Sequence, residues 1–480
     1  MSATLAATKP YGFLLNGKFV TQGAAVEIRA PYDQQGVATV INGSRADAEA
    51  AIAAAEAAFR TTRKLPAFER QRVLRAIAHL IGERKEEFAR IMAREAGKPI
   101  KTARAEVERS IFTFTVAAEE SARIYGEVLP LDLQDTATGR WAIERRFPIG
   151  VISAITPFNF PLNLPAHKIA PAIAAGCTMV LKPAPQDPIV ALMLAEIVQQ
   201  VGWPDGALNV LPLSNQDADP LITDERPRLL TFTGSAAAGW QLKQRAGKKK
   251  VVLELGGNAG VIVHKDADLS YAAQRSVSGG FSYAGQSCIS VQRILVEKTV
   301  FEKFTELLVD GARKLVVGDP VDPRTDVGPM IREQDAIRAA DWIEEATSFG
   351  AKVLCGGKRN GSLLEPTVLT NTRPQMRVNC EEIFAPVVTV EPYSDFSQAV
   401  QQINDSAYGL QAGVFTRDAN LLFHAYEELQ VGAVVAGDAP TFRMDHMPYG
   451  GTKDSGIGRE GLRYAIEDMT EPRLLVMNLR

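Results

Sequence analysis

Three side chains in this 480-residue sequence have the types and surroundings that acyl chemistry needs. Cys288 follows Gly-Gln-Ser, where glycine and small polar neighbours favour a turn that exposes the thiol. Glu254 ends an apolar run and precedes two glycines, which allow another group to approach closely. Asn159 lies between two prolines, whose fixed φ angles give its side-chain NH₂ a rigid position for donating to an oxyanion. Taken singly, each has an ordinary interpretation: a buried apolar cysteine, a structural acceptor and a turn asparagine.

Six motifs place these residues in one pattern: Pro157-Phe158-Asn159-Phe160-Pro161, Phe232-Thr233-Gly234-Ser235, Leu253-Glu254-Leu255-Gly256-Gly257-Asn258, Gly285-Gln286-Ser287-Cys288, Glu382-Ile383-Phe384-Ala385-Pro386 and Pro448-Tyr449-Gly450-Gly451. In order and spacing they closely resemble the signatures of the aldehyde dehydrogenase superfamily, and they run through nearly the whole chain. The stretch 438–448 resembles the branch that contains lactaldehyde-type and phosphonoacetaldehyde-type dehydrogenases.

The resemblance implies an NAD(P)-dependent oxidation of a small aldehyde to its carboxylic acid. Cys288 would attack the aldehyde carbon to give a hemithioacetal, whose oxyanion is bound by Asn159 and the Cys288 backbone N–H. Hydride transfer to the nicotinamide would leave a thioester, and Glu254 would activate the water that hydrolyses it. Lys168 resembles a family lysine near the active site, either aiding proton transfer or forming a structural ion pair.

Two alternative functions share this fold. A CoA-acylating semialdehyde dehydrogenase commonly lacks a base at the position of Glu254, which is present here. A catalytically idle structural member typically loses the nucleophile, whereas Cys288 is kept. Both observations favour a hydrolytic, non-acylating enzyme.

The resemblance also implies a site for NAD or NADP. Gly234 and Ser235 follow a predicted strand and open a helix, whose free N–H groups suit a pyrophosphate. Lys182 resembles the lysine that contacts the adenosine ribose. Pro185 stands where NAD-preferring relatives often carry a glutamate, so both cofactors remain open. The other positions expected at the cofactor are Ile155, Thr156, Pro157, Leu255, Gly256, Glu382 and Phe384.

Five positions are expected at the substrate by family register, and they are Arg109, His167, Ser287, Ile289 and Arg443. Two arginines and a histidine are costly to bury without partners, and a guanidinium matches carboxylate or phosphate oxygens. This favours a short aldehyde with an anionic tail or several polar groups. Ser287 argues against a dedicated phosphonate enzyme, in which an arginine is expected there.

In the alternative, carboxylates neutralise both arginines and leave a small neutral pocket. The candidate partners are Glu106 or Glu108 for Arg109, and Asp438 or Asp445 for Arg443.

These residues need a fold that gathers distant segments. Five short apolar runs alternate with helical stretches such as 189–201 and 236–246, which predicts a buried parallel sheet with helices on both faces. Ligands bind such sheets at the carboxyl ends of the strands. Upstream, Ser44 is predicted to cap a helix, followed by helices over 69–96 and 102–125. The five predicted strands are 151–156, 178–182, 208–212, 229–233 and 251–254.

A second α/β region follows, roughly from residue 256 to 455. Two segments, 129–147 and 473–479, fit neither core and could be strands that pair outside them. The predicted fold is therefore α/β, and the family resemblance implies a Rossmann-like parallel-sheet cofactor domain, a second α/β catalytic domain and a small β oligomerisation domain. The predicted boundaries are 1–128 and 148–254 for NAD(P) binding, 255–455 for catalysis, and 129–147 with 456–480 for oligomerisation into a homodimer or homotetramer.

The composition limits the partners. A formal net charge of −3 offers no basic excess for nucleic acid. The four cysteines form no CxxC pair or Cys/His cluster, which indicates a reducing compartment and no metal site. The first ten residues lack the apolar core of a signal peptide, and prolines interrupt the most apolar stretch, 150–165. A cytoplasmic protein without a membrane partner is expected.

Overall fold

The computed structural model describes residues 10–478, so the outermost ends of the predicted segments, 1–9 and 479–480, lie outside the described residues. The α-helices of the described part are α1 (Arg45–Thr62), α2 (Ala67–Glu83), α3 (Lys85–Glu95), α4 (Ile100–Glu120), α5 (Asn163–Ala175), α6 (Ile189–Gln200), α7 (Asp219–Thr223), α8 (Ala236–Arg245), α9 (Leu269–Phe281), α10 (Phe301–Arg313), α11 (Glu333–Ser348), α12 (Arg377–Cys380), α13 (Phe396–Asn404), α14 (Ala419–Glu428) and α15 (Leu462–Asp468).

The β-strands of the same residues are β1 (Phe13–Leu15), β2 (Lys18–Val20), β3 (Ala24–Arg29), β4 (Gly36–Asn42), β5 (Val128–Pro130), β6 (Arg140–Pro148), β7 (Val151–Ile155), β8 (Thr178–Lys182), β9 (Leu208–Val210), β10 (Pro227–Thr233), β11 (Lys250–Glu254), β12 (Ala259–Val263), β13 (Val291–Glu297), β14 (Lys352–Cys355), β15 (Arg359–Asn360), β16 (Leu363–Leu364), β17 (Thr367–Thr370), β18 (Val387–Tyr393), β19 (Tyr408–Gly409), β20 (Gln411–Phe415), β21 (Ala433–Ala436), β22 (Thr452–Lys453), β23 (Gly456–Ile457) and β24 (Thr470–Asn478). Two short 3₁₀ turns, Asp135–Ala137 and Ser282–Gly285, complete the described elements.

The first sheet has the order β2-β1-β9-β8-β7-β10-β11-β23. Its five central strands, in the order β9-β8-β7-β10-β11, are parallel, and they are the five strands predicted from the sequence. Every residue of β7 and β8 is buried, as expected where helices cover both faces of a parallel sheet. The α/β prediction for this half of the chain is confirmed.

The second sheet has the order β14-β17-β18-β13-β12-β20-β21 and is parallel from β17 to β21. Its strands face their own hydrophobic core, which α9, α10 and α11 complete. The chain thus contains two α/β units, each with its own sheet and hydrophobic core, as predicted.

A third, antiparallel sheet lies outside both cores and has the order β24-β6-β5. Strand β24 pairs along its whole length with β6, from Thr470 opposite Pro148 to Asn478 opposite Arg140. The domain boundaries themselves remain a prediction. Within the segment 456–480, however, β23 pairs with β11, and α15 packs into the first core. The part of that segment outside the cores therefore begins near Thr470.

Local signals account for most helix ends. Ser44 and Asp47 form the capping box of α1, in which each side chain accepts from the other's backbone N–H. The predicted helix over 69–96 is instead two helices, because Arg84 leaves the helical conformation, with ψ at 17°. Its guanidinium pairs with Glu87 at the start of α3. Within residues 10–478, no helix has the length and apolar character needed to cross a membrane.

A buried ion pair joins α4 to the start of α5. The carboxylate of Glu106 contacts the ammonium of Lys98, and the other Glu106 oxygen accepts from the N–H groups of Leu162, at 2.9 Å, and Asn163, at 3.1 Å. Helix α5 has no side-chain cap of its own, so Glu106 satisfies its first N–H groups from a neighbouring helix. The Lys98 ammonium also donates to the carbonyl of Asn159 at 2.7 Å. This pair therefore fixes the loop on which Asn159 lies.

Replacing Glu106 by alanine is expected to destabilise the fold by about 3–5 kcal/mol, because the substitution leaves Lys98 buried without its counter-charge. On the same helix, Glu108→Ala removes an exposed partner of Lys85 and should cost less than about 1 kcal/mol. Urea denaturation of both variants beside the wild type measures the difference. Equal destabilisation would contradict this role for Glu106.

Candidate active site

The carboxyl ends of the first sheet open onto a cavity of about 570 Å³. Its walls also include residues of the second α/β unit, such as Cys288 and Glu382. Predicted residues that line it are Cys288, Glu254, Asn159, Pro157, Gly234, Ser235, Leu255, Gly256, Glu382, Phe384, Arg109, Ser287, Ile289 and Arg443. Predicted residues that do not line it are Lys168, His167, Ile155, Thr156, Lys182 and Pro185.

The loop that carries Cys288 is held in an unusual backbone conformation. Tyr283, Ala284 and Gly285 have φ angles of 51°, 53° and 68°, in the left-handed region that non-glycine residues seldom adopt. A side chain at Gly285 would collide with the carbonyl oxygen of Ala385, so only glycine fits. Tyr283 is anchored by donation from its hydroxyl to the Ala96 carbonyl at 3.0 Å. The surrounding packing thus fixes the turn that presents the sulfur.

The Cys288 sulfur lies 2.8 Å from the hydroxyl oxygen of Tyr449. Burial raises the pKa of the Cys288 thiol to about 12, and the nearby carboxylates Glu382 and Glu254 act in the same direction. The Tyr449 hydrogen bond and the positive charge of Arg443 oppose this rise. Groups that stabilise the thiolate are therefore central to reactivity at this sulfur.

Asn159 is buried beside the nucleophile loop. Its side-chain NH₂ donates to the Gln286 carbonyl at 3.1 Å, whereas its side-chain oxygen has no partner among residues 10–478. Gln286 is held in turn, since its side-chain oxygen accepts from the Ile331 N–H at 2.9 Å. The amide therefore has one N–H directed at the Cys288 loop and a second available for an oxyanion.

Glu254 ends β11 with a buried carboxylate. Neither of its oxygens has a hydrogen-bond partner in the described part of the chain, which is rare for a buried carboxylate. Burial raises the pKa of Glu254 well above its usual value, and the neighbouring charge of Glu460 adds to the rise. Once ionised, such a carboxylate is a stronger base than an exposed one.

Behind the cavity, Glu460 joins two cations. Its carboxylate lies 3.3 Å from the Lys168 ammonium and 3.0 Å from a terminal nitrogen of Arg443. The Lys168 ammonium also donates to the Thr231 hydroxyl at 2.9 Å. Burial opposes ionisation of Glu460, yet Lys168 and Arg443 lower its pKa overall. Lys168 therefore makes the structural ion pair that the sequence left as its alternative role.

Arg109 and His167 share one partner, Asp445. Arg109 contacts both Asp445 oxygens, at 2.7 Å and 3.3 Å, and His167 Nε2 lies 2.8 Å from one of them. Burial lowers the pKa of His167, so its ring is neutral and donates from Nε2. The expected partners of the two arginines are thus wrong, because Glu106 instead pairs with Lys98, Glu108 with Lys85, Asp438 with Arg275, and Arg443 with Glu460.

The predicted cofactor positions form a second group at the strand ends. Ser235 caps α8 by accepting from the Ala238 N–H, and Gly234 and Ser235 lie on the cavity wall. One Glu382 oxygen accepts from the Gly257 N–H at 2.8 Å, and burial raises the Glu382 pKa to about 7. Phe384, with φ at 50°, packs edge-on against Phe158.

Lys182 fits a ligand with acceptor oxygens. Its ammonium makes no hydrogen bond or ion pair with any residue between 10 and 478, although burial lowers its pKa to about 8. A buried, unpaired ammonium at a strand end suits the hydroxyl groups of a ribose. Pro185 lies three residues later and is exposed. The segment Lys182-Pro183-Ala184-Pro185 contains no carboxylate that would repel a 2′-phosphate.

Sequence reasoning missed Tyr449 and Glu460 as parts of the site, and it named Asp445 as a candidate partner of Arg443 rather than of Arg109. Tyr449 lies in a quoted motif, but its type gave no reason to expect contact with sulfur. Glu460 had only a general signal, since a buried arginine or lysine requires a carboxylate somewhere in the fold. Within residues 10–478, no three His, Cys, Asp or Glu side chains are grouped so that they could hold a metal ion.

Comparisons with known proteins agree with this geometry. Residues 19–475 match the aldehyde dehydrogenase family. The chain belongs to this family. It is 44% identical over 477 residues to 3-sulfolactaldehyde dehydrogenase from Priestia megaterium, which covers 99% of this chain and 100% of that protein. The crystal structure of aldehyde dehydrogenase 21 from Physcomitrella patens, in complex with the reaction product succinate, is 46% identical with a TM-score of 0.97, covering 98% and 99% of the two chains.

The prediction of NAD or NADP as cofactor is confirmed at that level. Glyceraldehyde-3-phosphate dehydrogenase GapN from Methanocaldococcus jannaschii was solved with NADP, and is 40% identical with a TM-score of 0.92 over 96% of this chain and 100% of that one. Betaine aldehyde dehydrogenase from Staphylococcus aureus was solved with NAD⁺, and is 32% identical with a TM-score of 0.93 over 98% and 94%. This aldehyde dehydrogenase is thus an NAD(P)-dependent, non-acylating enzyme.

Gly257→Ala is expected to lower kcat by about 100-fold, the usual effect of displacing a reacting group by about 1 Å. The new Cβ would collide with the carbonyl oxygen of Cys288 and displace the nucleophile loop. Gly318→Ala is the control, since its Cβ would meet nothing closer than 3.6 Å. Steady-state kinetics of both variants check this, and a fully active Gly257→Ala enzyme would contradict the close approach.

Proposed function

We propose that Cys288, Asn159 and Glu254 carry out the oxidation in this aldehyde dehydrogenase, and that the substrate is a short aldehyde with an anionic tail. The single observation that carries the proposal is that the sulfur, the amide, the carboxylate and the Arg109 guanidinium line one cavity. A substrate in that cavity can reach all four groups.

The reaction divides among these side chains by their chemistry. The Cys288 sulfur bonds to the aldehyde carbon, and the developing oxyanion accepts from Asn159 and the Cys288 backbone N–H. When bound, the cofactor supplies the hydride acceptor that turns the hemithioacetal into a thioester. Glu254, whose carboxylate has no hydrogen-bond partner between residues 10 and 478, accepts a proton from the water that releases the acid. Lys168 acts at a distance, by holding Glu460 in place.

The residues around Lys182 and Gly234 are proposed to hold the cofactor. The N-terminus of α8, capped by Ser235, would face the pyrophosphate, and Lys182 would bind the adenosine ribose. Glu382 and Phe384 would hold the nicotinamide ribose and ring. Buried Ile155 and Thr156 at the end of β7 and partly buried Pro157 after them complete the proposed cofactor site together with Leu255 and Gly256.

The anionic tail follows from the state of the two arginines. Arg443 is 9% exposed and is neutralised by Glu460, whereas Arg109 is 32% exposed on the cavity wall. Asp445 engages only Nε and one terminal nitrogen of Arg109, so among the described residues the other terminal nitrogen has no partner. It can donate to a carboxylate, sulfonate or phosphonate oxygen. His167 lies beneath Asp445 and supports Arg109 without entering the cavity.

Names of relatives support the same substrate class. One relative is named for 3-sulfolactaldehyde and another for sulfoacetaldehyde, and a third was solved with succinate. Lactaldehyde dehydrogenases at 40% identity represent the neutral alternative. Ser287 and Ile289 add one hydroxyl and one apolar side chain to the proposed pocket, which is too little to select a neutral aldehyde by itself.

A homodimer or homotetramer in the cytoplasm is part of the proposal. The β24-β6-β5 sheet lies outside both cores, and β24 exposes more than half of Leu474, Leu475 and Val476. Apolar side chains on such a thin sheet favour association with a second copy. All four cysteines are free, as expected in a reducing compartment.

Cys288→Ser is expected to abolish aldehyde oxidation, because a serine hydroxyl is a far weaker nucleophile than a thiolate. Binding of NAD or NADP, measured by protein fluorescence titration, should be unchanged. Cys380→Ser is the matched control, since Cys380 is exposed and away from the cavity. Substantial turnover by Cys288→Ser would defeat the proposed chemistry.

For the substrate, kcat/KM is compared for phosphonoacetaldehyde, succinic semialdehyde, sulfoacetaldehyde and lactaldehyde. An anionic aldehyde is expected to exceed lactaldehyde by at least about tenfold, or about 1.4 kcal/mol. Arg109→Met should lower the anionic value by about 10- to 100-fold, the worth of a hydrogen bond to a charged group, and leave lactaldehyde nearly unchanged.

Arg104→Met on the same helix is the control, because Arg104 pairs with Glu86 at the surface. If lactaldehyde is preferred by tenfold or more and Arg109→Met leaves the ratio unchanged, the anionic tail is ruled out.

A further inference from the structure

We propose that Tyr449 is a further catalytic residue, whose phenol O–H donates to the Cys288 sulfur and stabilises its thiolate, while Arg443 and Glu460 hold the phenol in place. This inference rests on the proposed function only in taking Cys288 as the nucleophile. It assigns to Arg443 a task that differs from direct contact with the substrate.

Tyr449 has a rigid position at the reacting sulfur. The residue is 3% exposed, and its hydroxyl oxygen lies 2.8 Å from the Cys288 sulfur. Its backbone is tied to Glu460 in both directions, with N–H to O distances of 3.0 Å and 2.6 Å. The contact with the Tyr449 hydroxyl is the only hydrogen bond that the Cys288 sulfur makes to residues 10–478.

Arg443 acts on the phenol from the ring face. Its guanidinium carbon lies 3.7 Å from the centre of the Tyr449 ring. A terminal nitrogen of the same guanidinium donates to Glu460, which the Lys168 ammonium holds from the other side. A cation over a phenol ring favours negative charge on the oxygen and makes the O–H a stronger donor.

When the Cys288 sulfur is a thiolate, the phenol is the donor in this pair. Burial raises the pKa of Tyr449 well above its usual value, with the Cys288 sulfur adding to the rise, so the hydroxyl keeps its proton. The charged groups around the sulfur are Glu382 and Glu254, which disfavour a thiolate, and Arg443, which favours it. Tyr449 therefore supplies what no other described residue does, a hydrogen bond to the thiolate.

The contribution belongs to one part of the reaction. A thiolate accepts a strong hydrogen bond from the phenol, whereas the sulfur of a hemithioacetal or thioester is neutral and accepts only a weak one. Tyr449 thus raises the population of reactive sulfur before attack and has little effect on hydrolysis of the thioester. Removing its hydroxyl should lower the attack rate most where the thiol must lose its proton, below the apparent pKa.

The test is Tyr449→Phe, which keeps the ring beneath Arg443 and removes only the hydroxyl. Alkylation of Cys288 by iodoacetamide is measured against pH, with Cys288→Ala used to subtract the other three cysteines. The apparent pKa of alkylation should rise by about one unit or more, and the rate at pH 7 should fall about tenfold or more. The acid limb of kcat/KM should move upward by the same amount.

Tyr393→Phe is the matched control, since it removes another buried hydroxyl, one bonded to His264 rather than to sulfur. Its alkylation profile should equal that of the wild type. Circular dichroism and NAD(P) binding check that Tyr449→Phe is folded. Should that variant not fold, Tyr449→Met also removes the donor and carries the same expectation.

An unshifted alkylation profile in a folded Tyr449→Phe or Tyr449→Met enzyme would overturn the inference, and the roles of Cys288, Asn159 and Glu254 would stand. Loss of the proposed function has a different signature, turnover by Cys288→Ser. The two failures are therefore distinguishable.

Discussion

The site depends on one constraint, that charges removed from water need partners of opposite sign. Three buried carboxylates meet it, and each fixes a different part of the cavity. Glu106 binds Lys98 and caps α5, which holds the oxyanion loop. Asp445 orients the arginine on the outer wall, and Glu460 holds the arginine that faces the nucleophile. These three pairings act together with the packing that fixes the Cys288 turn and strand β11.

Glu254 departs from this pattern. It is as deeply buried as the other three carboxylates, yet neither of its oxygens has a partner among the described residues. The neighbouring carboxylate, Glu460, is paired with Lys168 and Arg443, which lower its pKa. The negative charge of Glu460 in turn raises the pKa of Glu254. Burial strengthens the ionised carboxylate as a base, and it has no hydrogen-bond partner within residues 10–478, so in the proposed mechanism it is suited to accept a proton from a water in the same cavity.

Much of this arrangement is predictable from the sequence, and what is not has a physical reason. Period and strand composition predict the five parallel strands, and the motif spacing brings the three reacting residues together. Charge partners are different, because Arg109 and Asp445 are 336 residues apart and no local pattern links them. Proximity in sequence suggested Glu106 and Glu108, but both face other cations. The break between α2 and α3 was also hidden, since Arg84 is a good helix former and its contacts include Glu196, which is 112 residues away.

Arg109 and Arg443 were both expected at the substrate from their positions in the sequence, but they differ in how deeply they are buried. Both line the cavity, and both looked equally suited to an anionic tail. Both arginines pair with a carboxylate, but Arg443 is almost fully enclosed, with Glu460 on its edge and the Tyr449 ring against its face, so little of it is open to an approaching anion. Arg109 keeps a third of its side chain open and has a terminal nitrogen with no described partner. In the proposed mechanism, one guanidinium supports the chemistry of the sulfur, and the other recognises the far end of the substrate. This division lets reactivity and specificity change independently.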